Sequence, residues 1–274
     1  MKIGIIGGTG KMGQFFVPVF ERAGYDVRVS GRKTALTNEE LAATSDIVIV
    51  SVPIHDTCRV IGEIAPLMQK DQLLCDLTSL KVRPVGAMLA SKADVIGLHP
   101  MFGPTVGSLK SQTIIVCPAR ADEYHTEALL KIFRNEGATC TITTPEEHDR
   151  MVAIVQGLTH FVTLCMADTV RRLGIDIRAT QEFTSPVYQI ELSLMGRLLS
   201  QDPALYADIL QQNPFVPDVL AGCRASATEL AEVIKSQDPE LFRSFFERNN
   251  LHLGNYCREG QKITDTLIDC MVEK

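Results

Sequence analysis

The chain has 274 residues, of which 45% are hydrophobic and 22% are charged, and its net charge is −6. This composition predicts a globular protein with room for one large domain or two modest ones. The acidic balance argues against nucleic acid or an anionic membrane surface as a partner, because no basic field would attract phosphates.

The eight cysteines lie far apart and form neither a C-x-x-C pair nor a tight Cys/His cluster. Neither a metal site nor a disulfide framework is therefore expected. The cysteines are expected to be free thiols in a reducing cytoplasm. The N-terminus runs directly into a strand pattern without the features of a signal peptide, and no further domain is expected before residue 1 or after Lys274.

Seven short β-rich segments alternate with amphipathic helical stretches up to residue 143. This alternation is typical of βαβ units, so we predict an α/β, Rossmann-type domain with a mostly parallel sheet over residues 1–143. The predicted strands are Lys2–Ile6, Val27–Ser30, Ile47–Val52, Leu73–Leu77, Val95–Leu98, Thr113–Cys117 and Thr139–Ile142.

The pattern changes at Thr144, where an N-cap hydroxyl is followed by Pro145 and two acidic residues. These are the residues that favour a helix start. Only helical periodicity follows, so we predict an all-helical domain over residues 144–274. Within it, Met151–Ala167 carries no formal charge. Because this stretch is short for a membrane span and contains polar residues, a buried helix is the favoured interpretation.

A glycine-rich loop directly follows the first predicted strand and opens a helix. In this context the G-x-G-x-x-G pattern indicates dinucleotide binding, because glycines let the backbone approach a pyrophosphate at a helix N-terminus. An ordinary glycine turn is the alternative. The residues predicted to bind a dinucleotide are Gly8, Thr9, Gly10, Lys11, Met12 and Gly13.

The second predicted strand ends in Ser30, and Arg32 and Lys33 follow where an NAD enzyme would hold an acidic residue. Arg32 could bind the 2′-phosphate of NADP through paired hydrogen bonds, so NADP is favoured and NAD remains possible. These cations could also be solvated surface residues. At the end of the third strand, Val52 and Pro53 are expected to contact the cofactor as well.

Polar side chains follow two neighbouring strands at the sheet edge where chemistry is expected. Ser79 follows the fourth predicted strand and His99 follows the fifth. Because α/β sheets bind ligands outside the carboxyl ends of their strands, both are candidate catalytic residues, although each could be a simple turn residue.

The helical domain supplies further candidates. Gln156 and His160 are four residues apart, so an α-helix places them on one face, with His160 interior and His148 at the surface. Gln189 and Arg197 share another helical stripe. Arg197 lies in an apolar turn, which fits a buried cation that binds an anionic substrate and equally fits a structural salt bridge.

Several segments, in order along nearly the whole chain, resemble prephenate dehydrogenases. They are Gly97-Leu98-His99-Pro100-Met101-Phe102-Gly103-Pro104, Asp76-Leu77-Thr78-Ser79, Glu147-His148-Asp149, Gln156 to Phe161, Gly196-Arg197-Leu198, Gln201-Asp202-Pro203 and Leu205-Tyr206-Ala207-Asp208. The resemblance implies oxidative decarboxylation of prephenate to 4-hydroxyphenylpyruvate in tyrosine biosynthesis, and a homodimer formed through the helical domain.

The resemblance also implies roles for individual residues. His99 would be the catalytic histidine, Ser79 would hold the reacting hydroxyl, His160 would line the site and Arg197 would bind a substrate carboxylate. Gln156 and Gln189 are further candidates for substrate binding. The relatives fused to a chorismate mutase carry an arginine at the position of Gln189.

Three other functions stay open. An arogenate dehydrogenase would use the same chemistry, but no acidic residue for the substrate ammonium is recognisable. An NADP-binding redox sensor would need none of the candidate catalytic residues. A β-hydroxyacid dehydrogenase has a similar two-domain plan but uses a lysine on the long helix, where this chain has His160.

Overall fold

The computed structural model describes residues 1–272. The remaining two positions, 273 and 274, belong to the predicted helical domain but lie outside the described residues. Over the described chain, an α/β region is followed by helices, which confirms the predicted fold class.

The central sheet has seven strands in the order β2-β1-β3-β4-β5-β6-β7. Only the pairing of β5 with β6 is antiparallel, as the predicted mostly parallel sheet requires. The strands are β1 (Lys2–Ile6), β2 (Asp26–Ser30), β3 (Ile47–Val50), β4 (Leu73–Asp76), β5 (Asp94–Pro100), β6 (Thr113–Arg120) and β7 (Thr139–Ile142).

Helices cover both faces of the sheet and bury two apolar cores. Phe16, Phe20 and Phe133 fill one core, and Leu41 and Ile61 belong to the other. Burial on both faces explains why β1, β3 and β4 are almost continuously apolar. The helices are α1 (Lys11–Arg22), α2 (Asn38–Thr44), α3 (Ile54–Ile64), α4 (Val82–Met88) and α5 (Glu123–Asn135).

The second half begins at the predicted cap, where the Thr144 side chain accepts a hydrogen bond from the Glu147 amide. A π-helical segment, Ala153–Leu158, interrupts the first long helix. The helices are α6 (Pro145–Val152), α7 (Thr159–Arg172), α8 (Ile177–Gln181), α9 (Pro186–Leu199), α10 (Pro203–Gln212), α11 (Val216–Ser236), α12 (Pro239–Leu253) and α13 (Tyr256–Val272).

The chain divides into two compact units. Unit 1 consists of Met1–Val155 and Ala204–Phe215, and unit 2 contains the other described residues. Because α6 lies against α4 and β6, the boundary predicted near residue 144 falls inside unit 1. The 204–215 segment is tied to unit 1 by Asn213, which donates a hydrogen bond to the Asp149 carbonyl at 2.8 Å.

Within the single chain the uncharged stretch 151–167 is mostly half-buried or exposed, so its predicted burial is wrong there. Only Val152, Ala153 and Gly157 are buried, and α7 has no buried residue. By length and composition, Pro145–Arg172 could cross a membrane, although one such helix is weak evidence. Part of the apolar surface that was predicted to be buried is therefore exposed in the single chain, at Met151, Ile154, Val155 and Val162.

Candidate active site

The turn from β1 into α1 requires glycine at several positions. Gly7 has a φ of +79°, which L side chains rarely adopt. A Cβ at Gly8 would lie 2.5 Å from Val29 Cγ1, and a Cβ at Gly13 would lie 2.6 Å from the Gly8 Cα. These glycines let the loop turn tightly and pack closely on the rest of the domain, and the exposed Gly10 lies at the N-terminus of α1, an arrangement suited to a phosphate group.

A cleft of about 840 Å³ adjoins this loop. Of the residues predicted to bind a cofactor, five line it: Thr9, Gly10, Arg32, Val52 and Pro53. Lys11, Met12 and Gly13 form the first turn of α1. Lys33 is exposed and is not among the lining residues. Ser30 is buried and donates its hydroxyl to Asn38 Oδ1 at 2.8 Å, so its side chain is already engaged within the fold.

Charged residues of both signs line the cleft. Arg59 is paired with Asp56 at 2.9 Å and with Glu63 at 2.7 Å. The hydrogen bond with Arg59 lowers the pKa of Asp56, and the charge of Arg32 contributes a smaller decrease. Arg32 itself makes no ion pair with any residue in 1–272, whereas Glu39 adds one acidic group to the lining. Arg32 is thus the cation of the cleft that an anionic ligand could engage without breaking an ion pair.

His99 lies inside β5 rather than after it, one residue before the strand ends. The strand is longer than predicted because residues 96–100 pair with β6, where His99 lies opposite Ile115. Its side chain is 2% exposed. Burial lowers the pKa of His99 well below its ordinary value, and the neighbouring His148 and Lys81 lower it further. His99 is therefore a neutral imidazole near pH 7.

His148 is a polar partner of His99 in the structure. His148 Nε2 lies 2.8 Å from His99 Nδ1, and His148 Nδ1 lies 2.7 Å from Asp149 Oδ1. Both His148 and Asp149 are buried, so the surface position predicted for His148 is wrong. Burial lowers the pKa of His148, although its hydrogen bond to the Asp149 carboxylate opposes this decrease.

The π-helical segment explains the wrong prediction for His148. Its position was inferred from His160 by counting 100° per residue along one continuous α-helix. A π-helix bonds i to i+5, so it changes the helical phase between residues 148 and 160. Within α6 alone, His148 and Val152 are four residues apart and both buried, which is the pattern that would have found His148.

Asp149 also holds the start of α4. Its Oδ1 accepts a hydrogen bond from the Lys81 amide at 2.7 Å, and its Oδ2 accepts one from the Val82 amide at 3.0 Å. These amides lie at the positive end of a helix and favour a charged carboxylate. The carboxylate next to His148 is therefore anchored by the backbone.

A buried ion pair close to His99, His148 and Asp149 was not predicted. Lys81 Nζ contacts Asp76 Oδ2, and both side chains are fully buried. Gly97, on β5, leaves room for the pair, since a Cβ there would lie 2.9 Å from Lys81 Cδ. Asp76 Oδ2 also accepts hydrogen bonds from the Thr78 amide and hydroxyl, which shapes the loop that carries the half-buried Ser79.

The remaining predicted site residues belong to unit 2. Gln156 lies in the π-helical segment and His160 in the first turn of α7, both half-buried. Burial lowers the pKa of His160. Gln189 and Arg197 lie on α9 and are exposed within the single chain, so the buried position predicted for Arg197 is wrong. Nor does Arg197 form an ion pair with any residue in 1–272, which removes the structural salt bridge as an explanation.

Two family models match consecutive parts of this chain. Residues 26–142 match "Prephenate dehydrogenase, nucleotide-binding domain", and residues 144–248 match "Prephenate dehydrogenase, dimerization domain". The chain belongs to the prephenate dehydrogenase family. The family's nucleotide-binding model covers β2 to β7 and therefore includes Ser79 and His99.

Two relatives are similar to this chain over nearly its whole length. A probable arogenate/prephenate dehydrogenase of Methanocaldococcus jannaschii is 35% identical over 98% of this chain. The T-protein of Enterobacter agglomerans is 34% identical over 93% of this chain. The chain spans 64% and 68% of the lengths of these two relatives.

Solved structures share the fold. The prephenate dehydrogenase from A. aeolicus in complex with hydroxyphenyl propionate and NAD+ aligns with a TM-score of 0.74 and 19% identity, covering 92% of this chain and 97% of that one. The Synechocystis arogenate dehydrogenase aligns with a TM-score of 0.70 and 17% identity, covering 92% and 99%.

Proposed function

We propose that this chain is a prephenate dehydrogenase, which converts prephenate to 4-hydroxyphenylpyruvate in tyrosine biosynthesis. The observation that carries the proposal is the buried, neutral His99 at the carboxyl end of a sheet strand in a member of this family. The glycine loop follows the carboxyl end of β1, so both features belong to the edge where α/β sheets bind their ligands.

The cleft beside the glycine loop fits a nicotinamide nucleotide. Gly8 and Gly13 allow the tight turn that places the exposed Gly10 at the N-terminus of α1, and Arg32 offers a cation for a 2′-phosphate. When bound, the nucleotide supplies the acceptor for the hydride that leaves the substrate ring. We propose that NADP is preferred, because Arg32 is without an ion pair in residues 1–272, and that NAD also binds.

His99 provides the base for this chemistry. Its Nε2 accepts a hydrogen bond from the ring hydroxyl of the substrate and takes up that proton as the hydroxyl becomes a carbonyl. Loss of the ring carboxylate as carbon dioxide then aromatises the product and makes the reaction effectively irreversible. Ser79, on the loop after the neighbouring strand, is proposed to hold the same hydroxyl.

Four residues of the helical domain are proposed to bind the substrate. Arg197 is exposed, carries no ion pair within residues 1–272 and would bind a substrate carboxylate through charge-assisted hydrogen bonds. His160, Gln156 and Gln189 are proposed as further residues of the site. The half-buried His160 is neutral near pH 7, since burial lowers its pKa.

The test is to follow NADPH absorbance with prephenate and with arogenate in parallel, using the full chain. Turnover with prephenate at higher kcat/KM supports the proposal. A preference for arogenate would assign the chain to arogenate oxidation. Cofactor binding without turnover of either compound would instead favour the redox-sensing alternative.

We further propose a cytoplasmic homodimer formed through the helical domain. The match of residues 144–248 to a dimerization domain supports it, as do exposed apolar residues of the helical domain such as Val162 on α7 and Leu194 on α9. All eight cysteines are free thiols, which fits a reducing compartment. Sedimentation of the intact chain should give a dimer, and a monomer at micromolar concentration would contradict this part of the proposal.

A further inference from the structure

We infer that His148 and Asp149 are a positioning pair for His99. They hold the His99 proton on Nδ1, and His148 takes up that proton when His99 accepts a second one at Nε2. The tautomer follows from hydrogen bonds within unit 1 alone, whereas the proton transfer rests on the proposed function.

Asp149 determines which ring nitrogen of each histidine carries the proton. Its carboxylate accepts from the backbone amides of Lys81 and Val82, as an ionised, acceptor-only group does. The nitrogen that lies 2.7 Å from Asp149 Oδ1 is His148 Nδ1, so that nitrogen must donate. Neutral His148 then has a lone pair on Nε2.

The same reasoning carries on to His99. His148 Nε2 is an acceptor, and it lies 2.8 Å from His99 Nδ1, which must therefore donate. A neutral imidazole carries one proton, so His99 Nε2 is the acceptor nitrogen. His99 is thus prepared to receive a proton at Nε2 before any substrate binds.

The pair can also take up the positive charge that His99 would otherwise carry. When the substrate hydroxyl gives its proton to His99 Nε2, the Nδ1 proton of His99 passes to His148 Nε2. One N–H bond forms and one breaks at His99, which ends as a neutral Nε2–H imidazole. His148 becomes an imidazolium whose Nδ1–H contacts the Asp149 carboxylate, so positive charge moves away from His99 and towards a fixed negative charge.

The surrounding charges agree with this direction. Lys81 disfavours positive charge on both histidines, and repulsion between the histidines disfavours charging both at once. Asp149 and Asp76 favour positive charge on His148, and Asp149 acts through a direct hydrogen bond. Of the two rings, His148 is therefore the better place for the proton.

The first test needs no turnover. Long-range 1H–15N spectra of the full-length protein, labelled at histidine and free of substrate, distinguish protonated from unprotonated ring nitrogens near pH 7.5. The spectra of His99→Asn and His148→Gln assign the signals. We expect His99 with its proton on Nδ1. A His99 proton on Nε2 would overturn the inference, whether or not the chain oxidises prephenate.

The second test separates positioning from proton transfer. In His148→Gln the side-chain oxygen can still accept from His99 Nδ1 but cannot be protonated, and His148→Leu removes both properties. We expect kcat to fall roughly 10- to 100-fold in His148→Gln and further in His148→Leu, with KM within about threefold of the wild type. Wild-type kcat in His148→Gln would overturn the inference.

His125→Gln is the matched control. His125 also has an aspartate partner, with its Nδ1 2.8 Å from Asp94 Oδ2, but it lies on α5 and has no part in the proposed site. Its kcat should stay at the wild-type value. Thermal unfolding and NADP binding of each variant establish that the fold is intact, and an inactive wild-type chain would count against the proposed function alone.

Discussion

His99 and His148 meet ring to ring in the interior of unit 1, with 2.8 Å between His99 Nδ1 and His148 Nε2. Two imidazoles at this separation cannot both be charged without strong repulsion, and burial disfavours charging either. The pair therefore starts neutral near pH 7 and holds at most one additional proton. This property governs both the proposed catalysis and the response of the fold to acid.

Replacing His99 by asparagine should remove the base. We expect kcat to fall roughly 10²- to 10⁴-fold, the usual contribution of a positioned general base, with KM little changed. Steady-state kinetics with prephenate and NADP check this expectation. If a folded His99→Asn protein turns over at nearly the normal rate, His99 has only a structural role.

The stability of unit 1 should decrease in mild acid. Folding lowers the pKa of both His99 and His148, so below about pH 6.5 the unfolded chain binds protons that the native chain does not. These histidines leave stability unchanged above that pH and reduce it as the pH falls, each by up to about 1.4 kcal/mol per unit.

Urea unfolding at pH 7.5, 6.5 and 5.5 measures this effect. His160 also reduces the stability in acid, because its pKa is lowered too. The wild type is therefore compared with His148→Gln, which isolates the contribution of His148. The variant should lose less stability per pH unit. Equal slopes for the two proteins would mean that His148 has an ordinary pKa in the native state.

Gly97→Ala should destabilise the fold. The added Cβ would lie 2.8 Å from Val85 Cγ2 and 2.9 Å from Lys81 Cδ, so the buried Lys81 side chain would have to move. Overpacking of this kind costs roughly 1 to 3 kcal/mol. Gly62→Ala, in α3 with no atom within 4 Å of the new Cβ, is the control and should stabilise by about 0.4 to 1 kcal/mol.

The cofactor preference should depend on Arg32. We expect NADP to be favoured over NAD by roughly 10- to 100-fold in kcat/KM, and Arg32→Ala to remove most of that preference. Lys33→Ala is a matched control, since Lys33 is the neighbouring cation but is not among the residues lining the cleft. Equal kcat/KM values for the two cofactors in the wild type would contradict the role of Arg32.

Arg197→Ala should weaken substrate binding more than catalysis. Loss of a charge-assisted hydrogen bond of about 1.5 to 3 kcal/mol should raise KM for prephenate roughly 10- to 150-fold. Arg197→Lys keeps the charge but loses the planar guanidinium group. Its KM should therefore lie between that of the wild type and that of Arg197→Ala. An unchanged KM in Arg197→Ala would remove this residue from the substrate site.

The strands of the sheet were predictable because their physical cause is local. A strand buried on both faces is apolar throughout, and β1 was predicted with the bounds that the structure has. The bounds of β7, which is mostly exposed, were also predicted. The end of β5 was less predictable. Its last residues are held by antiparallel pairing with β6, a partner that follows a long loop.

The candidate site was only partly predictable, because its polar contacts join distant segments. Asp149 contacts Lys81 from 68 positions away, and His148 contacts His99 from 49 positions away. No periodicity in one segment indicates such a partner. The exposure of Arg197 was not predictable either, because its apolar neighbours differ in burial: Met195 and Leu198 are buried, whereas Leu194 and Leu199 are exposed.

The anchoring of Asp149 by the amides of Lys81 and Val82 has a consequence for ligand design. If these amides order the protons as far as His99, the site selects ligands by the direction of one hydrogen bond. A phenol or alcohol at the position of the reacting hydroxyl can donate to His99 Nε2. Its methyl ether would bring an oxygen lone pair against a nitrogen lone pair and should bind roughly 1 to 3 kcal/mol more weakly.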